Sequence, residues 1–171
     1  FKNDLKGKFV ITSVVFELNK NFNAKTSYGA IEDTLTVKGI HNPTIKDISE
    51  AVIEIRQSKL PDPEKIGNAG SFFKNPVIPK IEFDKLLEKY PNAPHYTVSN
   101  ELIKVPAGWL IQEAGWKGRT FEHIGIHPKQ ALVLVNYGGG KGKDIKQLAY
   151  DIQNDVYNKF NILISPEVNM I

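Results

Sequence analysis

The chain has 171 residues, enough for one domain with a sizeable core or for one domain and part of another. Hydrophobic residues make up 41% and charged residues 24%, an ordinary globular balance, and no apolar run nears the roughly 18 residues that span a bilayer. The net charge of +3 is small and forms no basic run, which argues against nucleic acid as a partner, and the absence of cysteine excludes disulfide and thiolate chemistry and fits a cytoplasmic setting.

Residues 9–18 (Phe-Val-Ile-Thr-Ser-Val-Val-Phe-Glu-Leu) are rich in β-branched and aromatic types and predict a strand buried on most of both faces. A fully apolar strand with no neighbour before it points to a larger sheet that has been cut. After a polar stretch, Thr44 with Asp47 three residues on forms an N-cap signal. Ile45, Ile48, Val52 and Ile55 then follow helical spacing, and the helix should end near Ser58, before the Pro-Asp-Pro of residues 61–63. The domain border falls there, giving residues 1–60 and 61–171.

Beyond it, Phe83, Leu86, Leu87 and Tyr90 mark an amphipathic helix that Pro91 ends. Residues 91–100 read as a loop and Leu102–Val105 as a short strand. Pro106 opens the next helix, which Gly115 stops. Ala131–Asn136 is an apolar strand, residues 143–160 are a helix with its stripe at Ile145, Leu148, Ile152, Val156 and Phe160, and Ile162–Ile164 and Val168–Ile171 are strand material. The pattern predicts an α+β fold, one mixed sheet covered by helices.

Chemistry concentrates at Gly67-Asn68-Ala69-Gly70-Ser71-Phe72-Phe73-Lys74-Asn75-Pro76. A hydroxyl sits between a glycine-rich turn, which lets backbone N–H groups approach a ligand, and two aromatic anchors. The plain alternative is a turn leading into a buried strand. The run Gly138–Lys143 opens a helix but lacks the Gly-Lys-Ser/Thr ending of a phosphate loop, so it reads as a flexible strand-to-helix turn. His123 and His127 are four apart, yet Gly125 and Pro128 argue against a helix presenting both, and His41 and His95 stand in loops; no metal is expected. A Gly-x-Ser-x-Gly nucleophile elbow is excluded because Phe73 occupies the second glycine position, which weakens hydrolysis as a reading.

The Ser71 segment resembles the active-site segment of the UDP-N-acetylenolpyruvoylglucosamine reductases, flavoenzymes of bacterial cell-wall synthesis. The resemblance extends to Arg56-x-Ser58-Lys59-Leu60-Pro61, Ala93-Pro94-x-Tyr96, Ala107-Gly108-Trp109-Leu110-Ile111, Gly115-Trp116-Lys117-Gly118, His127-x-Lys129-Gln130-Ala131-Leu132-Val133-Leu134-Val135-Asn136 and Pro166-Glu167-Val168. Phe1-Lys2 looks like the end of the family's Tyr-Arg-x-Ser-x-Phe-Lys motif, so the resemblance implies a C-terminal fragment: residues 1–60 as the remainder of an FAD-binding domain and residues 61–171 as the substrate-binding domain.

In such an enzyme FAD, reduced by NADPH, delivers a hydride to the enolpyruvyl group of UDP-N-acetylglucosamine enolpyruvate, giving UDP-N-acetylmuramate for peptidoglycan. The resemblance assigns to Ser71 the proton for the resulting enolate carbon and to Glu167 the carboxyl group beside the enolate. An ionised carboxylate would repel that charge, so a raised pKa or a shared proton is expected at Glu167. By the same resemblance Lys59 and Tyr96 meet the diphosphate, and Asn75 and Gln130 hydrogen-bond the nucleotide part. The flavin-binding residues and a partner arginine of Glu167 lie outside the chain, so inactivity in isolation is expected. The alternative from the residues alone is a stand-alone module that binds a nucleotide sugar or another phosphate ligand without redox chemistry.

Overall fold

The computed structural model describes residue 5 and residues 8–27 and 30–170. Phe1 and Lys2, on which part of the family resemblance rests, and Ile171 lie outside the described residues. Two compact units divide the chain, residues 1–53 and residues 54–171.

The first unit holds helix α1 (Ile31–Val37) and the start of α2 (Ile45–Lys59). Sequence reading missed α1, a two-turn helix whose only buried side chains are Ile31 and Leu35. The start of α2 is built as its residues demand. The Asp47 carboxylate accepts from the Thr44 N–H (2.7 Å) and hydroxyl (2.6 Å), and the Asp47 N–H donates back to the Thr44 hydroxyl (3.3 Å). Those two donors, the hydroxyl first, hold the Asp47 carboxyl below the usual carboxylate range.

The strand expected over residues 9–18 does not form. None of that stretch is paired into a sheet, and Val10, Val15 and Leu18 are more than four-fifths exposed. High β-propensity expresses itself only against a cross-strand neighbour and a buried face, and this stretch has neither among the described residues.

In the second unit the α+β class holds, with the strands arranged in two wholly antiparallel sheets rather than one mixed sheet. The larger runs in the order β1 (Gly67–Ser71), β7 (Val133–Asn136), β6 (Ile124–Ile126), β5 (Thr120–Phe121). The smaller runs β2 (Val77–Pro79), β4 (Leu102–Lys104), β3 (Tyr96–Thr97). Three helices complete the unit: α3 (Lys80–Lys89), α4 (Ala107–Glu113) and α5 (Gly142–Phe160).

Helix α5 buries Leu148, Ala149, Ile152 and Val156, while Ile145 and Phe160 at the ends of the predicted stripe are partly buried, and α3 buries Phe83 and Leu86. Pro106 caps α4 in an extended conformation instead of starting its first turn. One core joins these faces to Ile126 of β6, Leu134 of β7, Leu110 and Ile111 of α4, and the pair Phe72 and Phe73. No helix among the described residues is long and apolar enough to cross a membrane.

Neither of the two strands expected at the end of the chain forms among the described residues. Ile162 and Ile164 are buried, but the carbonyl of Ile164 is taken by the Gln153 side-chain amide at 2.7 Å, not by a neighbouring strand. What forms instead is a short backbone clasp. Phe73 pairs with Pro166 in an isolated antiparallel bridge, flanked by Lys74 N–H to Ser165 O (2.9 Å) and Glu167 N–H to Phe72 O (2.8 Å).

Phe73 is 1% exposed and stacks tilted on Phe72 with ring centroids 5.2 Å apart, so it anchors the clasp in the core. Phe73→Ala is expected to cost about 3–5 kcal/mol, the usual range for emptying a buried aromatic site, read as a lower urea midpoint at unchanged slope.

Candidate active site

Ser71 is the last residue of β1. That strand pairs Gly67 with Asn136 and Asn68 with Val135, then slips so that Ser71 stands opposite Val133. The slip is built locally: the Asn68 side-chain oxygen accepts from the Gly70 N–H at 3.0 Å, and Gly70 adopts φ +69°, a left-handed conformation with open space on its Cβ side. The bulge shifts the register by which the next residue meets its neighbour. Ser71 is exposed, and its hydroxyl forms no hydrogen bond with any described residue. A turn serine of the plain kind would spend that hydroxyl on its own backbone; this one keeps it available.

One residue further on, the Phe72 N–H donates to Leu132 O (2.8 Å) and its carbonyl accepts from the Glu167 N–H (2.8 Å). The clasp thus brings the backbone of Glu167, an exposed residue, to within one register step of Ser71. The residues expected to act together in chemistry are gathered from two ends of the second unit.

Asn75 and Gln130 converge on the start of α4. The Asn75 side-chain oxygen accepts from the Ala107 N–H at 2.9 Å, satisfying a donor that the first helical turn leaves open. The Gln130 side-chain oxygen accepts a long bond from the Leu132 N–H (3.4 Å) and lies 3.5 Å from where a Cβ on Gly108 would stand. Both amide oxygens accept from backbone donors, and neither side-chain NH₂ group donates to a described residue. A ligand read by these two amides must offer acceptors, such as base carbonyls or phosphate oxygens.

Tyr96 and Lys59 are not joined to this cluster by any hydrogen bond or ion pair among the described residues. Tyr96 opens β3 and is 63% exposed; Lys59 ends α2 and is exposed. Next to it, Arg56, Leu60, Pro61, Asp62 and Lys65 line an open hollow of 590 Å³. The Gly138–Lys143 run spends its polar groups internally, as the plain turn would. The Asn136 side chain accepts from Gly138 and Gly140 N–H and donates to Gly140 O, while the Asp144 carboxylate caps the Lys141 N–H. Among the described residues no three His, Cys, Asp or Glu side chains stand together as a metal site.

Sequence reading placed His127 at the head of a family motif and discounted it as a metal ligand, but gave it no structural role. Its N–H backbone pairs with Val133 O and its carbonyl accepts from Gln130, so it sets the turn that carries Gln130. The ring Nδ1 is buried without a partner among the described residues, and burial first, then the nearby Lys129 charge, holds its pKa below the ordinary 6.5.

Residues 62–171 match the family model described as the UDP-N-acetylenolpyruvoylglucosamine reductase C-terminal domain. The whole chain is 51% identical to a UDP-N-acetylenolpyruvoylglucosamine reductase of Flavobacterium johnsoniae, of which it covers 51%, and 48% identical to one of Amoebophilus asiaticus, of which it covers 50%. A reductase of the same name from Chromobacterium violaceum is 44% identical over 98% of the chain, which covers 49% of it. The chain therefore spans about half the length of the curated relatives it matches.

Two outcomes follow from the geometry. Asn75→Ala removes the acceptor at α4 and is expected to cost about 1 kcal/mol of stability, whereas Asn75→Asp keeps an oxygen for Ala107 and should hold the urea midpoint near that of the parent. A histidine whose folded pKa is depressed resists charging. Its contribution is complete above pH 6.5 and is lost as the solution is acidified through and below that value. Stability measured from pH 7 down to pH 5 should therefore fall more steeply with His127 present than in His127→Gln.

Proposed function

The chain belongs to the UDP-N-acetylenolpyruvoylglucosamine reductase family, and on that premise we propose that the full-length protein reduces UDP-N-acetylglucosamine enolpyruvate to UDP-N-acetylmuramate. The reaction is a step of bacterial peptidoglycan precursor synthesis. In this reading residues 61–171 are the substrate-binding domain and residues 1–60 the end of an FAD-binding domain, so the chain is inactive without the rest.

The observation that carries the proposal is the unspent, exposed hydroxyl of Ser71, set on a bulged strand end with the Glu167 backbone clasped one residue away. A flavin finds no aromatic shelf beside it: both neighbouring phenylalanines are buried against each other. The outward groups are a hydroxyl, amide donors, a phenol and lysines, a set that suits an anionic nucleotide sugar and does not by itself fit a flavin. Flavin and NADPH are accordingly assigned to the full-length protein, where bound reduced FAD supplies the hydride equivalent.

The residues of this chain serve the substrate side. Ser71 Oγ holds the proton that the enolate carbon next to the substrate carboxylate takes up, and a donor fixed by its backbone at that position lowers the barrier without a separate search for a proton. Glu167 carries or shares a proton beside the enolate oxygen, because a second full negative charge there would oppose the charge that develops. Lys59 and Tyr96 take the diphosphate, and Asn75 and Gln130 take acceptor groups of the nucleotide through their NH₂ groups.

The test is NADPH oxidation by the full-length, FAD-loaded protein given UDP-N-acetylglucosamine enolpyruvate, with Ser71→Ala beside it. Substrate-dependent turnover is expected to fall roughly a hundredfold or more while reduction of the flavin by NADPH is unchanged. Equal turnover in the variant would return Ser71 to a structural turn. Flavin that is reduced in the parent but never reoxidised by the substrate would leave the chain as a nucleotide-sugar binding module.

A further inference from the structure

Two residues of β1 share one partner on β7. Asn68 pairs with Val135 and Ser71 with Val133, so Ala69 and Gly70 together stand against Leu134 alone. One extra residue is thereby inserted into the strand. A shift of one residue moves every later side chain of a strand to the other face. The face that carries the Ser71 hydroxyl is therefore fixed by this insertion and not by the regular ladder before it.

The Asn68 side chain holds the insertion in place. Its Oδ1 accepts from the Gly70 N–H at 3.0 Å, and its Nδ2 donates to the Ile66 carbonyl at 2.9 Å. One amide thus ties the backbone two residues before it to the backbone two residues after it. Asn68 is also the one residue of β1 that is partly buried. Gly70 supplies the φ of +69° that the turn needs. On the far side of Ser71, the Phe72 N–H is bonded to Leu132 O at 2.8 Å. Ser71 therefore stands between two fixed points, one made by a side chain and one by the neighbouring backbone.

A proton donor depends on such fixing. In the protonation step of the proposed reaction the Oγ–H bond of Ser71 breaks and a C–H bond forms at the enolate carbon. The alkoxide left behind takes a proton from water. Misplacing a reacting group by about 1 Å costs on the order of a hundredfold in rate.

We infer that Asn68 is a positioning residue for Ser71: its side-chain amide sets the bulge and, with it, the line of the hydroxyl toward the enolate carbon. This inference rests on the reading of Ser71 as proton donor proposed above. It adds a residue that acts on the reaction only through another.

The experiment measures kcat on the FAD-loaded full-length protein as parent, Asn68→Ala, Asn68→Asp, Ser71→Ala and the double variant Asn68→Ala/Ser71→Ala. The Kd for UDP is measured beside it by calorimetry. Asn68→Ala is expected to lower kcat about ten- to a hundredfold, with flavin reduction by NADPH and the Kd for UDP unchanged. Asn68→Asp keeps an oxygen for the Gly70 N–H and should recover most of that loss. With Ser71→Ala already present, Asn68→Ala should change kcat less than about twofold, because no hydroxyl is left to position. An equal loss in both backgrounds overturns the inference, since the asparagine would then serve the fold at large. Parental kcat in Asn68→Ala overturns it too, and leaves the reading of Ser71 standing. If Ser71→Ala itself turns over like the parent, the proton-donor reading falls and Asn68 with it. Should Asn68→Ala yield no folded protein, Gly70→Ala strains the same turn without a steric clash, as nothing lies within 4 Å of the added Cβ. The same loss of kcat is expected there, and a parental value overturns the inference.

Discussion

Two distant segments of the second unit are held at one residue, Phe72. Its N–H is bonded to Leu132, at the entry to β7, and its carbonyl to Glu167, near the end of the chain, while the ring is packed in the core against Phe73. A buried backbone group left unpaired costs about as much as a lost hydrogen bond, so neither partner can move away cheaply. The local bulge that exposes Ser71 and the clasp that brings in Glu167 are thus two faces of a single constraint. The hydroxyl can stand exposed because the residue after it is held on both sides.

Electrostatically the candidate site is defined by what its groups have already spent. The amide oxygens of Asn75 and Gln130 are used on Ala107 and Leu132, so the site offers donors there and few acceptors. The hydroxyl of Ser71 has no hydrogen bond with any described residue. The clearest contrast is the Gly138–Gly140 loop, which looks more like an anion cradle in sequence but is closed on itself by the Asn136 side chain. Glycine content marks where a backbone could approach a ligand, whereas the hydrogen bonds decide whether any donor remains for one.

Long helices were legible in the sequence because their signal repeats. The α5 stripe recurs over several turns, and the Thr44–Asp47 reciprocal cap needs only residues three apart. Strands of two or three residues were not legible, since β3 and β5 are too short to show a period and β1 is spelled Gly-Asn-Ala-Gly-Ser, which by composition is a turn. Residues 9–18 failed for the opposite reason: strong propensity with no buried face among the described residues. The motif around Ser71 pointed to the candidate site by resemblance, but the helix-capping duty of Asn75 and the clasp at Glu167 depend on long-range pairing. No inspection of neighbours along the chain could have found them.

The clasp between Phe72 and Glu167 joins positions about a hundred residues apart, so closing that loop has a large entropic cost before any contact repays it. Contacts of such high sequence separation form late and slow the folding of a domain. During synthesis the Phe72 carbonyl stays bonded to water until residue 167 has left the ribosome. The geometry around Ser71 is therefore completed among the last events of folding, and a chain stopped short of residue 167 could build its helices and still lack the clasp.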